Sequence, residues 1–190
     1  MNLLILGLVL FLATHLVPSY PRLRKLFVAR YNPTGYKAIF NILSLISIVL
    51  IIYGLKESAF QPLYDPPSWG HHLAMLLMLP AIYFFLSNSV RPTPSSAQFI
   101  TAHPVNWAVI LWSTSHLLAN GDLAHVLLFS TFWLFSVISI VTGNSRGLKP
   151  ILDRRPSLSS EAIFVVIVII VYCTLIWSHQ YFTGMSLFGI

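Results

Sequence analysis

The chain has 190 residues, of which 56% are hydrophobic and 8% are charged, and its formal net charge is +6 at pH 7. A soluble domain typically carries about 25% charged residues, so this composition excludes a water-soluble globular protein. The 11 Lys and Arg residues are spread over short segments without forming one basic face, which argues against nucleic acid as a partner. The expected partner is the lipid bilayer, and the expected fold class is all-α, a polytopic membrane helical bundle.

Six apolar runs predict about six transmembrane helices in one transmembrane domain that covers residues 1–190. In chain order the runs are Leu3–Val17, Lys37–Leu55, His72–Val90, Pro104–Ala119, Leu123–Thr142 and Ala162–Ser178. A helix needs roughly 20 residues to cross a hydrocarbon core of about 30 Å, and the first and fourth runs are shorter than that. A bundle of five helices is the alternative, if the first run crosses only part of the membrane.

The first run carries one histidine, His15, close to its end. No Lys or Arg precedes the run, and the residues around His15 form a poor cleavage site, so we interpret it as a retained span and not as a secretory signal. Pro18 and Arg22 follow closely. His15 is therefore either a ligand inside the bundle or a helix-end histidine that reaches the lipid headgroups.

Basic residues predict the orientation of the bundle. Ten of the 11 Lys and Arg residues fall in or at the edge of loops 18–36, 91–103 and 143–161: Arg22, Arg24, Lys25, Arg30, Lys37, Arg91, Arg146, Lys149, Arg154 and Arg155. Only Lys56 falls in a loop on the other side. Because Lys and Arg are enriched in cytoplasmic loops, these three loops are predicted to be cytoplasmic. A five-helix bundle that begins at Lys37 predicts the same orientation.

The fourth run places a titratable imidazole, His116, inside an otherwise apolar helix. A polar ring in hydrocarbon costs free energy unless it is paired, so such a residue often marks a functional site. Trp112 lies four residues earlier on the same helix face, and the hydroxyl of Ser113 can bond the ring and set its tautomer. His116 is either a ligand or a histidine bonded to a neighbouring helix. The Asn120-Gly121-Asp122 turn follows.

His103 stands at the start of the same helix, thirteen residues before His116. In a straight helix that separation is about 20 Å of rise, and the two rings point roughly 140° apart. They cannot bind one iron together. His103 is predicted to be a gate, a cap or a propionate partner, with an interfacial position as the alternative. Interfacial positions are also predicted for three further histidines, His71, His72 and His179.

Missing motifs narrow the chemistry. The sequence has no Cys-x-x-Cys-His for covalent haem, no His-Glu-x-x-His, and no phosphate loop or dinucleotide fingerprint. None of the five acidic residues falls inside a predicted span. Two neutral imidazoles that face each other across a bundle suit non-covalent haem b. His15 and His116 are candidates, although their backbones are expected to differ in height by about 8 Å.

One block of the sequence also resembles a known family, the NnrU-like membrane proteins. Its residues are His103-Pro104, Trp107, Trp112 and His116-Leu117-Leu118-Ala119-Asn120-Gly121-Asp122-Leu123. Shorter patches are similar to other recurrent segments of that family: His15-Leu16 with Pro18, and Tyr36-Lys37 with Phe40-Asn41 and Ser44-Leu45. The resemblance extends through about residue 150, and the last predicted span carries no motif that we can place.

The resemblance implies a function. NnrU-like proteins are bacterial inner-membrane proteins linked to nitric oxide and nitrite metabolism in denitrifiers, and their plant and cyanobacterial relatives are 15-cis-zeta-carotene isomerases that use haem b held by two histidines. Carried over to this sequence, the axial ligands are His15 and His116. Further residues expected at the cofactor are His103, Trp112 and Asn120.

The resulting hypothesis is a haem b-binding protein of the bacterial inner membrane, linked to nitrogen-oxide or redox metabolism. One alternative is a haem-dependent cis–trans isomerase of a polyene, which makes a hydrophobic small molecule the partner. Another is a non-catalytic assembly or electron-relay factor for a membrane oxidoreductase. A small transporter is less favoured because the spans lack carboxylates. An isoprenylcysteine-methyltransferase-like enzyme is less favoured because loop 143–161 leaves little room for a nucleotide cofactor. Whether the protein is an enzyme stays open from sequence.

Overall fold

The computed structural model describes residues 1–89, 95–151, 156–184 and 187, and within those ranges it is all-α, with no β-strand. The elements in these ranges are α1 Asn2–Leu16, a 3-10 turn Val17–Ser19, α2 Pro21–Lys56, α3 Gly70–Ser89, α4 Ser96–Ile100, α5 Pro104–Ala119, α6 Leu123–Ser145 and α7 Leu158–Thr183. They confirm the predicted fold class, a polytopic helical bundle. The bounds predicted for the fourth apolar run coincide with those of α5.

Five helices of the described ranges are long and apolar enough to cross a membrane: α1 with the turn that follows it, α2, α3, α6 and α7. The first apolar run is among them. The five-helix alternative, which assumed that the first run is too short to cross the membrane, therefore excluded the wrong helix. α5 has 16 residues, which makes it about 24 Å long and shorter than a hydrocarbon core of about 30 Å. It still runs from one end of the bundle to the other, between α3 and α6.

The long helices pack side by side in the order α2, α1, α6, α5, α3, α7. α1 and α2 approach closely because Gly54 places no side chain between them. A Cβ at Gly54 would lie 2.2 Å from the backbone nitrogen of Leu4. Small residues allow such close helix packing in membranes. The larger apolar core lies between α1, α2 and α6, and a smaller one lies between α3 and α7.

The three segments predicted to carry the positive charge meet at one end of the bundle, which we call the basic end. Arg146, after α6, donates from Nη1 to the carbonyl oxygen of Ser19 at 2.7 Å, which joins the end of α6 to the α1–α2 junction. His103, before α5, bonds through Nε2 to Asn144 Oδ1 at 2.9 Å. The alternation of loops predicted from sequence is therefore correct for these segments.

The loop between α2 and α3 and the turn between α5 and α6 lie together at the opposite end, which we call the turn end. The backbone N–H of Gln61 donates to Asp122 Oδ1 at 2.8 Å. The Tyr64 hydroxyl donates to the carbonyl oxygen of Asn120 at 2.8 Å. Gly121 is required there, because a Cβ would lie 1.8 Å from the carbonyl oxygen of Tyr64.

The prediction of a loop over residues 18–36 is wrong. α2 begins at Pro21, and its only non-helical residue is Asn32, at φ 55° and ψ 169°. Residues 21–31 therefore form a separate helical segment that meets the long helix at an angle. Asn32 caps the second part, because its Oδ1 accepts from Gly35 N–H at 2.9 Å. The prediction failed because a helical segment rich in basic residues has the same composition as a loop.

The predicted loop 91–103 contains the short helix α4. Its start is a capping box, in which Ser95 Oγ accepts from the N–H of Gln98 and the Gln98 side chain accepts from the N–H of Ser95. Three of the basic residues that predicted the orientation lie outside the described residues: Arg91, Arg154 and Arg155.

Candidate functional site

His116 lies near the turn end of α5 and is largely enclosed. Its Nδ1 lies 2.8 Å from the carbonyl oxygen of Trp112, one turn earlier. A carbonyl can only accept, so the ring proton is on Nδ1 and the lone pair is on Nε2. The ring stacks on Phe129 of α6 with centroids 4.4 Å apart. This is the tautomer and the fixed orientation that a metal-binding imidazole needs.

His15 has the same local arrangement near the end of α1. Its Nδ1 lies 3.0 Å from the carbonyl oxygen of Phe11, again one turn earlier. The ring stacks on Phe11 with centroids 4.1 Å apart and also contacts Phe40 of α2 and Phe135 of α6, at 5.1 and 5.9 Å. His15 is thus partly buried within an aromatic cluster formed by α1, α2 and α6.

The two histidines lie at different heights in the bundle. On α6, Phe129 contacts His116 and Phe135 contacts His15. These two phenylalanines are six residues apart, which is about 9 Å of helix rise. The value agrees with the offset of about 8 Å that the helix ends predicted.

Aromatic side chains fill the space between the two histidines. Phe11 packs on Phe132 with centroids 4.5 Å apart, and Phe132 packs on Trp112 at 5.7 Å. Trp112 in turn contacts His116 at 5.2 Å. We call these three residues the aromatic seam. The structure therefore does not bring His15 and His116 to a shared space.

His103, the third predicted histidine, is buried at the basic end. Besides its bond to Asn144, its ring packs against Gly143, where a Cβ would lie 2.3 Å from His103 Cε1. His103 therefore joins the start of α5 to the end of α6. It lies at the opposite end of α5 from His116, at the N-cap position, where its side chain makes no capping hydrogen bond to α5.

The remaining predicted site residues surround His116. Trp112 contacts its ring, and Asn120 donates from Nδ2 to its carbonyl oxygen at 2.9 Å. Ser113 does not set the tautomer, because the Trp112 carbonyl does so. The Ser113 hydroxyl is instead buried, with no hydrogen-bond partner among the described residues.

A cavity of about 280 Å³ lies next to His116, between α3, α5 and α7. Most of its lining is apolar, and the polar groups include the three imidazoles of His71, His116 and His179. Two other lining residues, Leu175 and Phe182, are also exposed on the surface of the bundle, so the cavity lies at the lipid-facing side. Largely apolar cavities with a few polar groups are typical of small-molecule sites.

His71 and His179 were predicted at the membrane interface, and their position in this cavity was not predicted. His71 bonds through Nε2 to the carbonyl oxygen of Leu187 at 3.2 Å, and His179 Nδ1 lies 3.1 Å from Thr183 Oγ1. The predicted spans alternate in direction, and this alternation already places the three histidines at the same end of the bundle. His71 directly precedes the third predicted span, His116 is near the end of the fourth, and His179 follows the sixth, so all three belong to one end.

Haem b can be tested against these residues. Haem iron needs one or two axial side chains, and an imidazole with a free Nε2 lone pair is a suitable one. The cavity at His116 fits one face of such a group, because its walls are apolar and its imidazole is oriented. The pair of His15 and His116 does not fit a single haem in this arrangement, because the aromatic seam fills the space between them. No cluster of three or more metal-binding side chains occurs in the described part of the chain.

The helix lengths and the packing order define this molecule as an all-α polytopic membrane protein. It has a candidate ligand site in the cavity beside His116. The chain matches the model of the NnrU protein family over residues 3–187, which is nearly its whole length. It belongs to the NnrU family. Searches among curated proteins and among solved structures gave no match.

Proposed function

We propose that this protein binds haem b within the membrane and acts in redox or nitrogen-oxide metabolism, with His116 as the iron ligand. The observation that carries the proposal is that His116, with its proton held on Nδ1, borders an apolar cavity. His15 would bind the same iron only if the aromatic seam opened.

The chain's own residues have defined roles in this proposal. The Trp112 carbonyl keeps the His116 ring in the ligand tautomer, and Phe129 holds the plane of the ring. Methionine and aliphatic walls exclude water from the cavity, among them Met75, Met78 and Ile82. When bound, haem supplies one-electron chemistry and a metal centre that binds small diatomic ligands such as nitric oxide.

The experiment is haem content in three matched variants. The protein is expressed with sufficient haem, purified in mild detergent and measured by its absorption spectrum. His116→Ala is expected to lower the haem-to-protein ratio by at least about tenfold. His15→Ala is expected to keep most of the haem, because His15 lies outside the cavity. His72→Ala is the control, because this exposed neighbour of His71 does not line the cavity.

The haem content of these variants distinguishes iron binding by His116 alone from iron binding by both His15 and His116. Equal loss in His15→Ala and His116→Ala means that the seam opens and that both imidazoles bind one iron, as predicted from the sequence. Haem retained in His116→Ala, or no haem band in the parent protein, contradicts the proposal.

A second function is favoured by the apolar lining of the cavity. A polyene would fit along such walls, and haem at His116 would then make the protein a cis–trans isomerase of a polyene such as 15-cis-zeta-carotene. Incubating the haem-loaded protein with this polyene and separating the isomers by chromatography tests it. Unchanged isomer ratios leave the redox function as the proposal.

We also propose that the basic end faces the cytoplasm of a bacterial inner membrane, because Lys and Arg are enriched on that side. A Cys173→Ala protein with either Lys149→Cys or Asp65→Cys is labelled in whole cells with a membrane-impermeant thiol reagent. Labelling at position 65 and not at position 149 is expected, and the reverse pattern contradicts the orientation.

A further inference from the structure

A second cavity, of about 320 Å³, lies at the basic end where the two parts of α2 meet. It is bordered by residues of the segment before Asn32 and by the first turns of the segment after it. Three of its lining residues are cationic, and they are Arg24, Lys25 and Lys37. This cavity is separate from the one at His116 and shares no residue with it.

No carboxylate in the described part of the chain forms an ion pair with these three cations. The sequence has no Asp or Glu between Met1 and Lys56. The ion pair between His125 and Asp122 lies at the other end of the bundle. The three side chains are exposed and border one cavity, and such a cluster of like charges attracts an anionic ligand.

Tyr36 adds a hydrogen-bond donor to the cavity. It lines the same space, and its hydroxyl is buried without a hydrogen-bond partner in the described part of the chain. Buried hydroxyls are normally bonded, so an unpaired one indicates a missing partner. Arg24 lies over the Tyr36 ring, with Cζ 6.0 Å from the centroid, which holds the guanidinium at the cavity wall.

The surroundings of the cavity are those of a membrane surface. On the segment before Asn32, three apolar side chains are exposed: Leu23 at 45%, Leu26 at 67% and Phe27 at 40%. An amphipathic segment with exposed apolar residues beside basic ones lies in the plane of the membrane interface. A ligand that combines a phosphate group with acyl chains matches both features.

We infer that Arg24, Lys25, Lys37 and the Tyr36 hydroxyl bind a phosphate group, supplied by the headgroup of an anionic phospholipid. Arg and Lys bind phosphate oxygens through charge-assisted hydrogen bonds, and the tyrosine hydroxyl adds a donor. The site also gives the break at Asn32 a role, since the bend places Lys37 near Arg24 and Lys25 around one space.

The experiment measures lipids retained by the purified full chain. The protein is reconstituted in equimolar phosphatidylglycerol and phosphatidylcholine, extracted in mild detergent and examined by native mass spectrometry. The pocket variant carries Arg24→Gln, Lys25→Gln and Lys37→Gln. The control variant carries three substitutions of the same charge at basic positions outside the cavity: Arg22→Gln, Arg30→Gln and Lys149→Gln.

The parent protein is expected to be enriched in phosphatidylglycerol, and the pocket variant is expected to lose at least about tenfold in that enrichment, because its charge-assisted hydrogen bonds to the phosphate are removed. The control variant is expected to keep its enrichment, because its net charge changes equally without touching the site. Equal enrichment in both variants overturns the inference and assigns lipid retention to general surface charge.

Two further measurements complete the test: competition with inorganic phosphate and the single variants. In the first, inorganic phosphate is added in excess to the lipid-bound parent protein. Displacement of phosphatidylglycerol from the parent protein, with no change in the phosphatidylcholine that it retains, supports phosphate as the recognised group, and no displacement overturns it. Phosphate binding with no lipid enrichment overturns the lipid source. If the triple pocket variant does not fold, Lys25→Gln and Lys37→Gln are measured singly, each with about a fivefold loss expected.

Discussion

The ring of Phe11 on α1 packs against the ring of Phe132 on α6 with the centroids 4.5 Å apart. This contact lies between His15 and His116, the two histidines predicted to be ligands. Phe11 is buried, and it also stacks on His15. Phe132 continues the contact to Trp112, which touches His116. The two imidazoles are therefore connected through aromatic packing and not through an open space.

Removing one ring of the aromatic seam should destabilise the bundle. Phe132→Ala deletes contacts with both Phe11 and Trp112, and we expect the free energy of unfolding to fall by about 3 kcal/mol. Leu134→Ala is the control, because Leu134 is on the same helix but is 50% exposed, and lipid or detergent replaces its contacts. Unfolding in detergent with increasing denaturant measures both. An equal small loss in both variants would mean that the seam is not tightly packed.

Much of the fold could be predicted from hydropathy and turn chemistry. The bounds of α5 coincide with the apolar run that begins at Pro104 and ends before the Asn-Gly-Asp turn, because Pro and the polar turn both stop a helix in recognisable ways. The segment from Pro21 to Tyr31 was missed. A basic helical segment has no long apolar run that hydropathy could detect. Its helical structure depends on contacts with neighbouring segments, which the sequence does not show.

The candidate site was predictable in part. His116 and Trp112 were found together because a spacing of four residues places them on one face of a helix. The seam could not be predicted, because it depends on how α1, α5 and α6 are rotated about their axes. A sequence gives the depth of His15 along its helix to within a few ångströms, but it does not show which side chains lie between two helices.

The contact between α1 and α2 gives a second prediction. Gly54→Ala places a Cβ 2.2 Å from the backbone nitrogen of Leu4, so the two helices must separate. We expect a loss of about 3 kcal/mol in the free energy of unfolding. Gly35→Ala is the matched control in the same helix, because its nearest neighbour would be the Tyr31 Cβ at 3.4 Å. Thermal unfolding in detergent compares them, and Gly35→Ala should be neutral or slightly stabilising.

The turn end gives a third prediction, at Asp122. This buried carboxylate accepts from the N–H of Gln61 at 2.8 Å and from His125 Nδ1 at 2.9 Å, and it caps α6. Asp122→Ala leaves the Gln61 N–H without its partner, so we expect a loss of about 2–3 kcal/mol in the free energy of unfolding. Ser157→Ala, which removes the exposed cap of α7, should cost about 1 kcal/mol or less. Similar losses in the two variants would contradict the role of Asp122 as a link between two loops.

The same carboxylate predicts an acid limit to stability. Burial raises the pKa of Asp122, but hydrogen bonds from Gln61 and His125 outweigh that effect and leave the pKa below its ordinary value. Its contribution is therefore complete above the unfolded pKa of about 3.9 and is lost as the pH falls through the lower folded value. The difference in unfolding free energy between the parent and Asp122→Asn should be constant above about pH 5 and should shrink below about pH 4. A difference that instead grows as the pH falls would show that the carboxyl is protonated more readily in the folded state.

His103 distinguishes a structural histidine from a cofactor residue. Its Nε2 bond to Asn144 and its packing on Gly143 hold the basic end together, so His103→Ala should lower the free energy of unfolding by about 2 kcal/mol. Haem content should not change, because the cavity at His116 lies at the turn end. His103→Gln keeps a side-chain donor for Asn144 and should recover part of the stability. Absorption spectra and denaturant unfolding of the two variants measure these effects. Loss of haem from a stably folded His103→Ala protein would instead place this histidine at the cofactor, as the resemblance implied, and would require that the cofactor reach the basic end of α5.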